Sequence, residues 1–115
     1  MSTFSSVQML QGYLQVVTDR QQQITSNIAN VDTPGYHSKD VDFQAAMQQV
    51  MQGNSGPQLE PASLNEAGLT ERPDGNNVDI DREGLMLSQT QLQFQLGVQL
   101  VKSQFHTLLT AIKEE

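Results

Sequence analysis

The feature that most constrains this 115-residue chain is a pair of apolar seams of helical period, one toward each end. In the first, Val7, Leu10, Leu14, Val17, Ile24, Ile28 and Val31 follow in steps of three and four, with only Gln21 out of line. Its flanks (Gln8, Gln11, Gln15, Asp19, Arg20, Gln22, Gln23) are polar, and so narrow a stripe is buried only against another helix. In the second, Leu87, Phe94, Val98, Val101, Phe105, Leu108 and Ile112 share one seam interrupted by Gln91. A further row of Leu85, Leu92, Leu96 and Leu100 widens that apolar face. Asp79 reads as the N-cap, and Asp81 and Glu83 in the first turn oppose the positive end of the helix dipole. A helix from about residue 80 to 112 would run about 48 Å at about 1.5 Å per residue, too long for the first helix to cover.

Composition argues that the chain buries little by itself. Only 37% of residues are hydrophobic and 5% aromatic, and Gln recurs throughout. Two narrow stripes offer a small chain too little buried area to offset its ordering entropy, so packing against other chains is the natural remedy. The formal charge of −7 and isoelectric point near 4.5 speak against nucleic acid or an anionic membrane as partner. Without cysteine there is no disulfide, thiolate metal site or Cys nucleophile. MSTFSSVQML lacks the basic and continuous apolar regions of a cleaved signal, and no run approaches the roughly 18 apolar residues of a membrane span.

Between the seams the pattern breaks. VDTPGY reads as a helix stop followed by a β-turn with Pro34 second and Gly35 third, the placement a type II turn prefers. His37, Lys39, Val41 and Phe43 then alternate with Ser38, Asp40 and Asp42 as a short extended arm. Phe43, Met47, Val50 and Met51 suggest a helix of one or two turns. Residues 53 to 77, rich in Gly, Pro, Asn and Ser, read as a flexible or partner-ordered linker. The expected fold is all-α: an N-terminal helix over 1–31, a turn, arm and short helix over 32–52, a linker over 53–78, and a C-terminal helix over 79–115. The two terminal helices are expected to form an antiparallel, coiled-coil-like pair.

Catalytic and metal motifs are weak. His37 and His106 have no neighbour at metal-ligand spacing, and no serine lies in a G-x-S-x-G context. DIDREG imitates the first half of a calcium loop, but the twelfth position is Thr90 where a bidentate Glu belongs, so helix capping is the better reading. Asp40 and Asp42 lack a third polar partner and are expected at a solvated or interface-facing edge. No enzyme activity, cofactor, metal or small-molecule substrate is expected.

One stretch carries a recognisable likeness. Ser26-Asn27-Ile28-Ala29-Asn30-Val31-Asp32-Thr33-Pro34-Gly35-Tyr36 resembles the signature of the axial proteins of the bacterial flagellum, the rod and hook family. Asp40-Val41-Asp42-Phe43 and Asp74-Gly75-Asn76-Asn77-Val78-Asp79-Ile80-Asp81 extend it toward the proximal rod members. Hook and distal-rod subunits of that family carry a large domain between their terminal helices, and nothing of that size fits between Phe43 and Asp79. Two other readings stay open, a subunit like the proximal rod protein FlgC and a cytoplasmic coiled-coil adaptor.

The resemblance implies a structural subunit of the motor's drive shaft, exported without a cleaved signal by the flagellar type III apparatus and polymerised into the rod across the periplasm. The partners it implies are copies of the chain and the rod proteins FlgC, FlgF, FlgG and FliE, with the membrane ring and export gate beyond them. It implies that Val7, Leu10, Leu14, Val17, Ile24, Asn27, Ile28, Asn30, Thr33, Pro34, Gly35, Tyr36, Val41 and Phe43 serve subunit contacts. Leu87, Phe94, Val98, Val101, Phe105, Leu108 and Ile112 join them from the second seam. On this basis the turn sends the arm onto an adjacent subunit, while Asn27 and Asn30 satisfy backbone groups at the end of the first helix.

Overall fold

The computed structural model describes residues 3–53, 63–65 and 68–113. Its elements are α1 (Thr3–Ala29), β1 (Lys39–Val41), α2 (Phe43–Met51), β2 (Ser63–Asn65) and α3 (Ile80–Lys113). The fold is all-α, with the two strands forming one short antiparallel ladder that sets Asp40 opposite Leu64. Most of the expected linker between residues 54 and 67 lies outside the described residues, β2 excepted.

α1 and α3 pack antiparallel. The Asn27 side chain meets Glu83 near one end, and Leu14 and Tyr13 lie against Gly97 further along. At about 1.5 Å per residue, α3 is longer than α1 by about 10 Å, so its last turns run on past the start of α1. The molecule is correspondingly long and thin, 67 × 24 × 20 Å.

α1 uses two faces. Val7, Val17 and Ile24 are buried along the seam read from the sequence. Val16 belongs to a second face, where it clusters with Val41 and Val50, and Met9, Phe43, Ala46 and Met47 pack around them. Gly12 lets α2 close on this face: a Cβ there would fall 2.4 Å from Val50 Cγ1. Tyr13 adds an edge-to-face contact with Phe43, centroids 6.0 Å apart. α2 starts where Asp42 accepts a hydrogen bond from the Ala45 amide, as an N-cap does.

The face that α3 buries is not the one expected. Its buried residues are Glu83, Met86, Thr90 and Gly97. They too advance in helical steps, but this row is turned one position from the predicted seam. Of that seam, Leu87, Val98 and Val101 are half-buried, whereas Phe94, Phe105, Leu108 and Ile112 are exposed. Leu85, Leu92, Leu96 and Leu100 are exposed as well, Leu85 by 72%. Thus α3 lays Glu83, Met86, Thr90 and Gly97 on α1 and leaves most of its leucines and both of its phenylalanines outside.

Candidate functional site

The end of α1, the turn and the start of α3 form one hydrogen-bonded clasp. Asn30 donates through its side chain to Ser26 O, closing the last turn of α1, and its own Oδ1 accepts from Thr33 Oγ1. Tyr36 N then bonds Thr33 O at 3.2 Å across Pro34 and Gly35. Gly35 has φ +77°, the left-handed value the third residue of a type II turn requires.

The turn is held by a second loop that the sequence placed in the linker. Arg72-Pro73-Asp74-Gly75 closes a turn of its own, with Gly75 N donating to Arg72 O at 2.8 Å. Gly35 N donates to Asp74 O at 2.9 Å, and a Cβ on Gly75 would stand 3.4 Å from Gly35 Cα. Asn76, fully buried, donates to both Asn30 O (2.9 Å) and Thr33 O (2.8 Å), while its Oδ1 accepts from Val78 N. The Arg72 guanidinium reaches Val78 O and Val31 O. Residues 72–78 are therefore a packed loop, not slack chain, because the carbonyls of Asn30, Val31 and Thr33, just past α1, each accept a side-chain hydrogen bond from it.

Beneath the clasp lies a buried polar cluster. Asn27 Nδ2 donates to Lys39 O (2.7 Å) and to Glu83 Oε1 (3.2 Å), and Asn27 Oδ1 accepts from Lys39 N and Tyr36 OH. Ser38 bonds Glu83 Oε1 through its hydroxyl and Asn77 Oδ1 through its amide. Asn27, Ser38 and Glu83 have no exposed surface. Buried polar groups need such specific partners, so the cluster fixes both the rotation of α3 and the course of the arm. Next to it Arg20 grips Asp40 with Nε and Nη2 at 3.1 and 3.2 Å.

These contacts revise several expectations. Asn30 does serve the end of α1, but Asn27 serves the arm. The arm turns back onto its own α1 instead of reaching outward. Asp40 forms an ion pair, and Asp42 caps α2, so neither is a bare edge carboxylate. Val7, Val17, Ile24, Asn27 and Val41 are buried within the chain and have little or no surface left for a subunit contact. Leu10, Leu14, Ile28, Asn30, Tyr36 and Phe43 are half-buried, and Thr33, Pro34 and Gly35 are exposed at the turn. In DIDREG, Asp79 accepts from Arg82 N while residues 80–83 are already helical, so the run begins a helix. His37 pairs with Glu71 at 2.9 Å on the clasp surface.

Sequence reasoning gave Gly12 and Gly97 no role, and read Thr90 only as a failed calcium-loop position and Asn76 and Asn77 only as part of the family likeness. Small and amide residues carry no periodic signal, and their roles depend on partners far along the chain.

A family model described as Flagella basal body rod protein matches residues 18–37, the end of α1 and the turn just described. Over 97% of both chains, the sequence is 33% identical to flagellar basal body rod protein FlgB of Bacillus subtilis (strain 168). The chain belongs to the FlgB family of flagellar basal body rod proteins. FlgB of Aeromonas hydrophila is 32% identical over 89% of this chain and 88% of its own length. FlgB of Escherichia coli (strain K12) is 26% identical over 95% and 94%. The likeness is thus to FlgB, not to the FlgC-like subunit that the sequence left open.

Proposed function

We propose that the chain is a structural subunit of the proximal rod of the flagellar basal body, built to pack by helix faces among its own copies and other rod proteins. The observation that carries this reading is the apolar surface left on α3. With about 100° between successive residues, Leu85, Leu92 and Leu96 lie roughly 200° to 240° around the helix from buried Thr90. Phe94, Val98 and Phe105 lie roughly 40° to 80° from it. α3 thus offers apolar rows to two neighbours besides α1. Leu108, Leu109 and Ile112 add the overhang beyond α1, where Leu109 and Ile112 are 55% and 60% exposed. Exposed apolar rows of this kind mark an interaction site, and helix-on-helix packing is the form their spacing suits.

The same reading assigns the parts of the chain. Residues 1–31 and 79–115 are axial helices, 32–52 brace them, and 53–78 carry a connection whose last residues lock the clasp. Subunit contact falls to Leu10, Leu14, Ile28, Leu87, Phe94, Val98, Val101, Phe105, Leu108 and Ile112, together with the exposed turn Thr33-Pro34-Gly35. The neighbours are other copies and the rod proteins FlgC, FlgF, FlgG and FliE, in the periplasmic part of the basal body, after export without a cleaved signal.

Catalysis has no part in this function. Among the described residues, the open groove between α1 and α2, about 670 Å³, is lined by Ser5, Gln8, Met9, Gln11, Val50, Met51, Gln52 and Gly53, none of them an acid–base group at neutral pH.

Replacing Leu92, Leu96 and Leu100 together by Gln tests the proposal in a motile strain whose own gene for this subunit has been deleted. The expected result is a protein of unchanged helicity that fails to enter isolated basal bodies or restore swimming. Full motility would overturn it.

A further inference from the structure

The charges of this chain are divided along its length. Residues 32–83 hold ten of the thirteen acids and three of the six basic residues, so the whole formal charge of −7 falls in that stretch and both terminal stretches are neutral. α1 has only Asp19 and Arg20, and α3 has no charged residue between Glu83 and Lys102. Glu60 and Glu66 lie outside the described residues, and the exposed acids among the rest put an acidic clasp end on a neutral, leucine-bearing shaft. Asp32, Asp74, Asp79 and Asp81 are exposed there. Two basic groups of that region are already engaged: Arg20, from the neutral stretch, by Asp40, and Arg72 by backbone carbonyls.

Asp81 and the leucines share one face of α3. Asp81, Leu85, Leu92 and Leu96 advance by four, seven and four, so a second copy laid on the Leu85–Leu92–Leu96 row in the same direction, as the proposed rod role requires, would bring acidic end to acidic end. The shaft surfaces match, being apolar and uncharged, whereas the ends repel. At about 0.01 M salt the screening length is about 30 Å, which exceeds the molecule's shorter extents of 24 and 20 Å, while at about 1 M it is about 3 Å.

We infer that the acidic end is an electrostatic gate on self-association: a second copy is the occupant of the leucine face, and repulsion between clasp ends holds copies apart until that charge is screened. The gate rests on the proposed assembly role and adds its control. Net charge far from zero keeps chains soluble and monomeric, and its concentration at one end makes the effect depend on how copies are aligned.

Sedimentation velocity of the full chain, with circular dichroism on the same samples, tests the gate. The wild type should be monomeric at about 0.01 M NaCl and associate at about 1 M, with an association constant higher by at least about tenfold. Asp32→Lys/Asp81→Lys, which alters two exposed acids without a described hydrogen bond, should associate at the low salt. Leu92→Gln/Leu96→Gln should stay monomeric at both. Equal association of the wild type at both salts, its absence at both, an unchanged salt requirement in the lysine variant, or salt-induced association surviving loss of the leucines would each overturn the gate. Incorporation of the tagged wild type into basal bodies reports separately on the rod role, so a chain that enters the rod but shows no salt dependence removes the gate alone.

Discussion

Asn76 shows how much of the clasp hangs on one side chain. Its amide supplies two carbonyls at the end of α1 and its oxygen takes the Val78 amide, all without exposure to water. Asn76→Ala should cost about 1 to 3 kcal/mol, since the buried Val78 amide loses its acceptor while the Asn30 and Thr33 carbonyls keep only their turn hydrogen bonds. Urea unfolding followed by circular dichroism measures it, and a loss below about 1 kcal/mol would mean water replaces the amide. Gly35→Ala carries a different penalty. The left-handed φ of +77° costs a residue with a Cβ about 1 to 2 kcal/mol, and nothing lies within 4 Å of the added atom to complicate the comparison. Pro34→Ala should be milder. The Pro-Gly turn was legible in the sequence because its chemistry is local to four residues. Asn76 and Asn77 look like any loop asparagines, for their partners stand about 40 residues away.

Among the elements, the existence and ends of α1, α2 and α3 follow from periodicity and caps, which short-range physics settles. The rotation of α3 does not. It has three candidate rows, and the most apolar of them is not the one laid on α1. The choice is made by Glu83, which must reach Asn27 and Ser38, and by Gly97, which admits Leu14 and Tyr13. A Cβ on Gly97 would fall 2.6 Å from Leu14 Cδ2 and 3.2 Å from Tyr13 Cε2. Gly97→Leu should therefore lower stability by about 1 to 3 kcal/mol, as overpacking does, and thermal melts would register it. Tyr13 gives the same interface a pH signature. Burial pushes its phenol above the ordinary value, so the folded state holds the proton after the unfolded chain has released it. The resulting stabilisation is complete below the unfolded phenol value of about 10 and declines as pH rises through that value toward the raised folded one. Urea midpoints across that range should fall less steeply in Tyr13→Phe, a difference that isolates Tyr13 from other groups titrating there.

At the scale of the whole molecule, shape and stability are one problem. A compact chain of this length would have a radius of gyration of about 13 Å, whereas this one reaches 17.6 Å. Elongation leaves a thin core, with Val7, Val16, Val17, Ile24, Val41, Val50, Val78 and Met86 as its buried apolar residues among those described. Such a core makes the isolated subunit marginal, and anything that binds the folded form but not the unfolded form must then raise its apparent stability by mass action. If the leucine face is covered by further copies, the thermal midpoint at high salt should climb with protein concentration, and the climb should vanish in Leu92→Gln/Leu96→Gln. A midpoint independent of concentration, in a wild type shown by sedimentation to associate, would mean that the unfolded chain associates equally well and that the exposed rows add nothing to the fold. Melts over a hundredfold concentration range distinguish the two. The expected direction follows from the geometry: an elongated hairpin that leaves its largest apolar side chains outside gains most when those side chains leave water together.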